Sequence, residues 1–332
     1  MVDVNMRNIF DYKDNFEKYR HVKSVLQYGD KGLCKKPKIS VIMPVYGNPK
    51  FFTHSYNSVI HQDADFVYEV IVVDNTPLDE TKSDILELIE ESHLPNVFYY
   101  RNEQNIGMVG NWNRGIELAR AELLTYCHDD DMLFPNCLST LWRMHLRYAG
   151  KFIIPNCKII DETVVYPLQK SLQGVSRKEK CVPFGKIDIF MGNPSNGVGC
   201  LFYKKDMMEI GGYSEEYYPS MDNALHAKYV FAHGAFRYLQ PLYCYRISSS
   251  NESNNVYKGF IDNGLFYCEC MSRRLGLPSF ITKALIHAYK TNITITMERV
   301  WEKKTHFSLS PTLSDKIVNK CLSIRQKVMA IG

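Results

Sequence analysis

The sequence lacks the features that would assign it to three large classes of protein. No apolar run reaches the roughly 20 residues that a helix needs to span a bilayer, and Met1–Arg20 is too polar and charged for a secretory leader. The chain has 10 Cys but no CxxC pair, which argues against a paired-cysteine metal site or redox motif. We therefore expect a soluble, cytoplasmic protein with free thiols rather than a disulfide framework.

Two glycine-rich nucleotide-binding motifs are also missing. No GxGxxG follows the first predicted strand, and GxxxxGKS/T does not occur anywhere in the chain. Both motifs bind phosphates through backbone amides, so a diphosphate bound here would need another source of positive charge. The net charge is only +4, and we expect no nucleic-acid partner.

A regular alternation of segments begins after residue 37. Residues 1–37 are interpreted as an N-terminal extension that is partly helical. Short apolar or β-branched runs then occur at 39–44, 68–74, 97–101 and 123–127, and segments with helical spacing of apolar residues separate them. This alternation is typical of a mostly parallel, Rossmann-like sheet with helices on both faces, so we predict an α/β fold.

The second half of the chain is less regular. Strands are predicted at 152–160, 197–203 and 242–247, and a helix at 222–231. A polar, turn-rich stretch at 248–255 precedes a region that reads mostly as helices. We therefore predict one domain over 38–250, with halves at 38–131 and 132–250, and a helical C-terminal region over 256–332.

Carboxylates follow two strands of the predicted sheet. Asp74 ends the second strand, and Asp129, Asp130 and Asp131 follow the fourth. The carboxyl ends of parallel strands meet at one crevice, where ligands bind. Crowded carboxylates repel each other unless a cation offsets their charge, and Mg²⁺ or Mn²⁺ would do so while being shared with substrate phosphates. The alternative is a solvated acidic turn that caps the next helix.

Several motifs in the same order resemble the family 2 glycosyltransferases of the GT-A fold. The resemblance spans Lys38 to Arg246. It rests on KISVIMPVY at 38–46, EVIVVDN at 69–75, RNEQNIG at 101–107 with NRG at 113–115, HDDD at 128–131, GGY at 211–213 with MD at 221–222, and YCYR at 243–246. It implies that 38–131 is a nucleotide-binding half and 132–250 an acceptor half.

The resemblance also implies roles for individual residues. Asp130 would be the most direct ligand of the metal, with Asp131 beside it, and Asp222 would be the catalytic base. The nucleotide-binding residues would be Pro44, Val45 and Tyr46 around base and ribose, Asp74 at the base, Asn102, Asp129, and Arg246 near the diphosphate.

Two of these positions have competing interpretations. Many family members have Asp where this chain has His128, which leaves open which two aspartates form the functional pair. His128 would be a residue that ends the strand or, alternatively, a group that supports the metal ligands. Many members have Glu where this chain has Met221, so the base rests on Asp222 alone. A structural alternative for Asp222 is a helix N-cap.

The implied activity is an inverting transfer of a sugar from a nucleotide-sugar donor, expected to be a UDP-sugar. The acceptor would be a saccharide or a lipid-linked saccharide in bacterial-type polysaccharide synthesis. Two alternatives remain. A sugar nucleotidyltransferase would share the sheet but usually has a glycine-rich, basic loop after the first strand, and residues 46–50 are poor in both. A non-catalytic binding module on a transferase scaffold is the other.

The C-terminal region carries most of the positive charge. From Phe280 onward there are nine Lys or Arg and three Asp or Glu. Ile281, Leu285, Ile286 and Tyr289 recur at helical spacing, which predicts an amphipathic helix. This helix either packs on the catalytic domain with its lysines in solvent, or lies on an anionic membrane and gives the enzyme peripheral contact with the inner face.

Overall fold

The fold is taken from a computed structural model, which describes residues 8–47, 49–78, 84–168, 179–191, 194–248, 253–300 and 320. The strands are β1 (Ser24–Tyr28), β2 (Ile39–Val45), β3 (Glu69–Asp74), β4 (Val97–Asn102), β5 (Leu123–Tyr126), β6 (Met132–Leu133), β7 (Phe152–Ile160), β8 (Cys181–Phe184), β9 (Phe202–Tyr203) and β10 (Ala235–Arg246). The helices are α1 (Phe52–Ile60), α2 (Asp84–Ser92), α3 (Gly107–Leu118), α4 (Cys137–Arg147), α5 (Lys204–Glu209), α6 (Met221–His233), α7 (Ser253–Arg274) and α8 (Ser279–Val300).

The larger sheet has six strands in the order β1-β4-β3-β2-β5-β9. The four central strands are parallel, and the edge strands β1 and β9 are antiparallel to their neighbours. The predicted α/β fold with a mostly parallel sheet is therefore confirmed. Central strands buried on both faces are expected to read as continuous apolar runs, and β2 and β3 do so.

Helices cover both faces of this sheet. Val70 and Val72 of β3 belong to one apolar cluster, which includes residues of α1, α2 and α4. Ile71 and Val73 belong to a second cluster, which includes residues of α3, α6, α7 and α8, as the two-residue repeat of a strand requires. A Cβ atom on Gly115 would lie 2.2 Å from Ile42 Cγ2. Only glycine therefore lets α3 lie this close to β2.

A smaller sheet is built around β10, which is longer than the strand predicted at 242–247. It pairs in parallel with β7 along its length, and on its other edge with β8 and β6. A bridge between Ile153 and Leu201 connects this sheet to the larger one. Strands β6 and β8 and helices α4 and α5 were not predicted.

The N-terminal extension is part of the fold rather than an appended helix. It adds β1 to the edge of the larger sheet, and its helical content among the described residues is the 3₁₀ turn Glu17–Tyr19. The Asn15 amide donates to the Gly211 carbonyl at 3.2 Å, and the Tyr19 hydroxyl donates to Glu215 Oε1 at 2.8 Å. The described part of the extension is therefore helical only in the 3₁₀ turn, and it also supplies a strand that pairs with the otherwise open edge of β4.

The C-terminal helices pack on the domain through the apolar face of α8. Leu285 and Tyr289 are buried, and the Tyr289 hydroxyl donates to the Phe260 carbonyl of α7 at 3.3 Å. A Cβ atom on Gly264 would lie 1.8 Å from that hydroxyl oxygen, so α7 and α8 can approach this closely only at a glycine. Three lysines of the basic C-terminal region, Lys303, Lys304 and Lys316, lie outside the described residues. None of the described helices has both the length and the apolarity needed to cross a bilayer.

Candidate active site

A cavity of about 530 Å³ lies at the carboxyl ends of β2, β3 and β5. Its volume is in the range of small-molecule sites, and its place is where open α/β sheets bind ligands. It is lined by Pro44, Val45, Tyr46, Asn75, Asn105, Gly107, Met108, Asn111, Trp112, His128, Asp129, Asp130, Asn196, Tyr218, Pro219, Met221, Asp222, Tyr245, Val256 and Phe260.

Six of the ten predicted site residues line this one cavity: Pro44, Val45, Tyr46, Asp129, Asp130 and Asp222. They come from the ends of two strands and the start of a helix that are far apart in the sequence. The structure thus brings the predicted nucleotide, metal and base residues together. Asp74, Asn102, Asp131 and Arg246 are buried and do not line the cavity.

The end of β3 places Asn75, not Asp74, at the cavity. The Asp74 carboxylate is fully buried, where it accepts hydrogen bonds from the Thr76 amide at 2.8 Å and the Tyr99 hydroxyl at 2.5 Å. Neighbouring residues of an extended chain point to opposite sides, so only one of the pair can face the ligand. In this structure Asp74 holds the turn after β3, and its predicted contact with the base stays a prediction.

Asn102 belongs to a buried network of asparagine side chains behind the cavity wall. Its Nδ2 donates to Asn75 Oδ1 at 3.1 Å and to Asn111 Oδ1 at 2.9 Å. Asn75 Oδ1 also accepts from the Ile106 amide at 3.0 Å, and Asn111 Nδ2 donates to the Val73 carbonyl at 2.8 Å. Asn102 therefore positions Asn75 and the loop before α3, and its effect on a nucleotide would pass through them.

The acidic loop after β5 turns its aspartates in different directions. Asp129 and Asp130 are partly exposed at the cavity, whereas Asp131 is fully buried. Asp131 Oδ1 accepts the Arg246 amide at 2.9 Å, and Oδ2 accepts from Asn196 Nδ2 at 2.8 Å. Asp131 thus ties the loop to β10 and to the segment before β9.

The same loop contains a group of side chains that could hold a divalent ion. One ligand atom from each of His128, Asp130 and Asp131 lies within 4.8 Å of the others. Burial, with the charge of Asp130 as the next cause, raises the pKa of Asp129 to about 7 and that of Asp131 well above its ordinary value. A cation would offset this crowding of carboxylates, and carboxylate oxygens suit Mg²⁺ and Mn²⁺. The residues present therefore fit a divalent ion.

Arg246 lies under the acidic loop and not in the cavity. Its guanidinium donates through Nε to the Asp130 carbonyl at 2.8 Å and through Nη1 to the Asp161 and Val164 carbonyls at 2.7 and 2.9 Å. The guanidinium carbon is 4.2 Å from the centre of the Phe51 ring. These contacts hold the main chain of the loop, and the predicted place beside a diphosphate stays a prediction.

Asp222 reaches the cavity from the first turn of α6. The N-cap position of this helix belongs to Ser220, so Asp222 is not the N-cap. Its Oδ1 accepts the Asn223 amide at 2.8 Å. The cavity thus has one carboxylate near the helix start and others at the strand end, which is the arrangement expected of a base and a metal site.

Several cavity residues were not predicted. Trp112 lies on α3, and its ring stacks on that of His128 with the centroids 5.2 Å apart. Val256 and Phe260 belong to α7, beyond the part of the chain that resembles the family. Variable loops at 192–199 and 214–221 are expected to bind the acceptor, and they contribute Asn196 and Tyr218 to the cavity. Residues 192 and 193 lie outside the described residues.

The sequence is similar to those of known glycosyltransferases. The family model described as Glycosyl transferase family 2 matches residues 40–205. The chain is 30% identical over 239 residues to the GalNAc(5)-diNAcBac-PP-undecaprenol beta-1,3-glucosyltransferase of Campylobacter jejuni, and the match covers 68% of this chain and 72% of that enzyme.

The fold is similar to the crystal structure of S. aureus TarS 1–349. The complex of that protein with UDP-GlcNAc matches with a TM-score of 0.59 and 15% identity, and covers 89% of this chain and 82% of that one. Its complex with UDP matches with a TM-score of 0.56 and 16% identity, and covers 84% and 77%. Similarity at this level of identity concerns the fold, and the predicted GT-A fold is confirmed.

Proposed function

The chain belongs to glycosyltransferase family 2, and on that premise we propose that it is an inverting enzyme that moves a sugar from a UDP-sugar to a lipid-linked saccharide. The observation that carries this proposal is the single cavity that joins Asp130, from the end of β5, with Asp222, at the start of α6. A transferase needs a site for the diphosphate and a base for the acceptor within reach of the same anomeric carbon.

The nucleotide is proposed to lie against the ends of β2 and β3. Pro44, Val45 and Tyr46 form one side of the cavity there, and Asn75 lies beside them. The choice of uridine is supported by the UDP and UDP-GlcNAc bound to the structural neighbour. The identity of the sugar is left to experiment.

The diphosphate is proposed to bind at the acidic loop with Mg²⁺ or Mn²⁺ held by Asp130 and the neighbouring side chains. Such an ion stabilises the negative charge that grows on a departing nucleoside diphosphate. The chain has no glycine-rich phosphate motif, so this loop is the part of the sequence suited to the task. Asp131 and Arg246 keep the loop in place from below.

Asp222 is proposed to take the proton of the acceptor hydroxyl. A carboxylate within hydrogen-bond reach of that hydroxyl makes it a better nucleophile as the new glycosidic bond forms. The oxygen then attacks the anomeric carbon from the face opposite the leaving group, so the configuration inverts. One base is sufficient, and no covalent sugar–enzyme intermediate is required.

A lipid-linked acceptor is supported by two observations. The name of the Campylobacter jejuni relative describes an undecaprenol-linked saccharide as its acceptor. The far wall of the cavity also includes apolar side chains of α7 and of the segment before α6, namely Val256, Phe260 and Tyr218. Apolar parts of an acceptor would be removed from water by such a surface. We place the reaction in bacterial-type polysaccharide or glycan synthesis, with peripheral membrane contact through the basic C-terminal region.

A screen of donors tests this function. UDP-, GDP- and dTDP-sugars are added with and without Mn²⁺, and the melting temperature is measured, since a ligand that binds the folded state stabilises it by mass action. A UDP-sugar should raise the melting temperature only with the metal. The best donor is then incubated with a polyprenyl-diphosphate-linked saccharide, and the anomeric configuration of the product is determined by NMR.

A second assay, with a nucleoside triphosphate and a sugar phosphate, separates the alternatives. A sugar nucleotidyltransferase would release pyrophosphate from a nucleoside triphosphate and a sugar phosphate, and a binding module would bind without turnover. Stabilisation by GDP- or dTDP-sugars alone would overturn the uridine assignment, and a product that retains the donor configuration would overturn the inverting mechanism.

A further inference from the structure

The side chain of His128 is held at the cavity by its packing against helix α3. Its ring stacks on Trp112 of α3 at an angle of 16° between the planes, so the imidazole cannot turn freely. Its side chain is only 17% exposed. Among the residues that the structure describes, its buried Nε2 has no hydrogen-bond partner. A neutral imidazole carries its proton on one nitrogen and a lone pair on the other, so a ring protonated at Nε2 has its lone pair free on Nδ1.

The other nitrogen faces the acidic group. His128 Nδ1 and Asp131 Oδ2 are 3.8 Å apart, which is too far for a hydrogen bond. Ligand atoms bound about 2.0–2.2 Å from one ion lie roughly 3–4.3 Å from each other, depending on the angle at the metal. The separation of these two atoms falls within that range, and an atom of Asp130 completes the group within 4.8 Å.

A structural alternative is that His128 serves only to pair with Asp131, but Asp131 does not need this further partner. Both of its carboxylate oxygens already accept hydrogen bonds, from the Arg246 amide and from Asn196 Nδ2. A carboxylate oxygen has two lone pairs, so Oδ2 can still bind an ion. The packing thus holds an imidazole and two carboxylates close enough together to share one ion.

We propose, on the basis of the donor-binding function proposed above, that His128 is a direct ligand of the divalent ion and makes the site prefer Mn²⁺ over Mg²⁺. Mg²⁺ and Mn²⁺ both bind well to oxygen ligands, but Mn²⁺, as a first-row transition ion, accepts an imidazole nitrogen more readily than Mg²⁺ does. A carboxylate at this position would have left an all-oxygen set. The histidine therefore determines metal selectivity at the diphosphate site.

Electron paramagnetic resonance of Mn²⁺ tests this without reference to turnover. Mn²⁺ is titrated into the full chain, alone and with UDP, and the electron spin echo modulation of the bound ion is recorded. Wild-type protein should show the coupling of a directly bound ¹⁴N nucleus. That coupling should vanish in His128→Asp, which supplies an oxygen in its place, and persist in His61→Ala, an exposed histidine outside the cavity.

Competition with Mg²⁺ gives the selectivity. His128→Gln should bind Mn²⁺ at least about tenfold more weakly, because even partners outside the coordination shell contribute 10–100-fold. Mg²⁺ should displace Mn²⁺ from His128→Asp at a lower Mg²⁺ concentration than it does from wild-type protein. Melting temperatures confirm that each variant is folded.

The proposal falls if wild-type protein binds Mn²⁺ without ¹⁴N coupling, or if His128→Gln binds it as wild type does. It also falls if Mn²⁺ does not bind. In that case the binding of UDP-sugars, measured separately by calorimetry, decides the donor function. If a UDP-sugar binds without metal, the proposed transferase function stands and the proposed metal ion does not.

Discussion

Arg246 Nε donates a hydrogen bond of 2.8 Å to the main-chain carbonyl of Asp130. The last residue of β10 is thereby joined to the loop that contains the proposed metal ligands. The amide of the same arginine bonds to the Asp131 carboxylate, so main chain and side chain hold two successive residues of the loop. The geometry of the proposed diphosphate site therefore depends on the second half of the chain.

Arg246→Lys tests whether this arginine supports the loop or binds phosphate. Lysine keeps the charge but cannot donate in several fixed directions, so buried carbonyls would lose their partners. We expect a loss of unfolding free energy on the order of 3 kcal/mol, measured by urea unfolding, together with weaker Mn²⁺-dependent binding of UDP. Arg20→Lys, at an exposed site, is the control. Weaker UDP binding at unchanged stability would instead place Arg246 at the diphosphate.

Asp130→Ala tests the metal assignment. The Arg246 bond uses the main-chain carbonyl of Asp130, which alanine retains, so the fold should survive and the melting temperature should change little. Mn²⁺-dependent binding of UDP should weaken by more than about tenfold, and transfer should be abolished. Asp161→Ala, outside the cavity, should bind UDP normally. Near-normal turnover of Asp130→Ala would refute the assignment.

Asp222→Asn tests the base. Asparagine has the same size and still accepts the Asn223 amide, but its amide oxygen is not basic. Transfer should fall by a factor on the order of 10² to 10⁴, the usual effect of losing a general base, while calorimetry shows unchanged donor binding. If the variant transfers sugar at the normal rate, Asp222 is structural and another carboxylate acts as the base.

The pKa of Asp129 predicts how pH and metal act together. Burial and the charge of Asp130 raise this pKa from 3.8 to about 7. Between these values the unfolded chain has already lost the proton that the folded, metal-free protein keeps, so this group's contribution to stability falls as pH rises from about 4 to about 7. A cation needs the ionised carboxylates. Mn²⁺ should therefore raise the melting temperature more at pH 8 than at pH 5.5.

Asp129→Asn is the matched variant for this pH dependence. It removes the titrating group, so the metal-free variant should lose less stability than wild type between pH 4 and pH 7. An identical pH profile for the two proteins would show that Asp129 titrates at its ordinary value.

The central strands could be predicted because burial on both faces demands continuous apolar sequence. The run predicted at 39–44 is β2, and the one predicted at 68–74 contains β3. Strand β1, with the sequence SVLQY, could not be found this way because most of its side chains are exposed. It is a strand because it pairs with β4. Strand β6 has only two residues and therefore no period to detect.

The site was predictable where a residue's place follows from the strand end alone. Pro44 and Asp130 are such residues, and both line the cavity. The orientation of a side chain at a strand end depends on distant parts of the chain. Tyr99 bonds to Asp74, and Trp112 stacks on His128. Neither relationship has a signature in the local sequence, so the burial of Asp74 and the position of His128 required the structure.

Membrane contact by the C-terminal region is the last property to test. The apolar face of α8 is used to pack on α7, where Leu285 and Tyr289 are buried. A membrane would therefore be bound through charge rather than through inserted apolar residues. Such binding should be confined to anionic vesicles and should weaken with salt.

Liposome co-sedimentation measures this directly. Each Lys near an anionic surface contributes about 1 kcal/mol, so changing four of them to Gln should weaken binding by a factor on the order of 10² to 10³. The variant changes Lys303, Lys304, Lys316 and Lys320, and the control changes four exposed lysines elsewhere, Lys23, Lys35, Lys36 and Lys205. The control should sediment with anionic vesicles as wild type does. Equal sedimentation of wild type with anionic and neutral vesicles, or none with either, would leave the C-terminal region as a packing element and favour an acceptor that is free in solution.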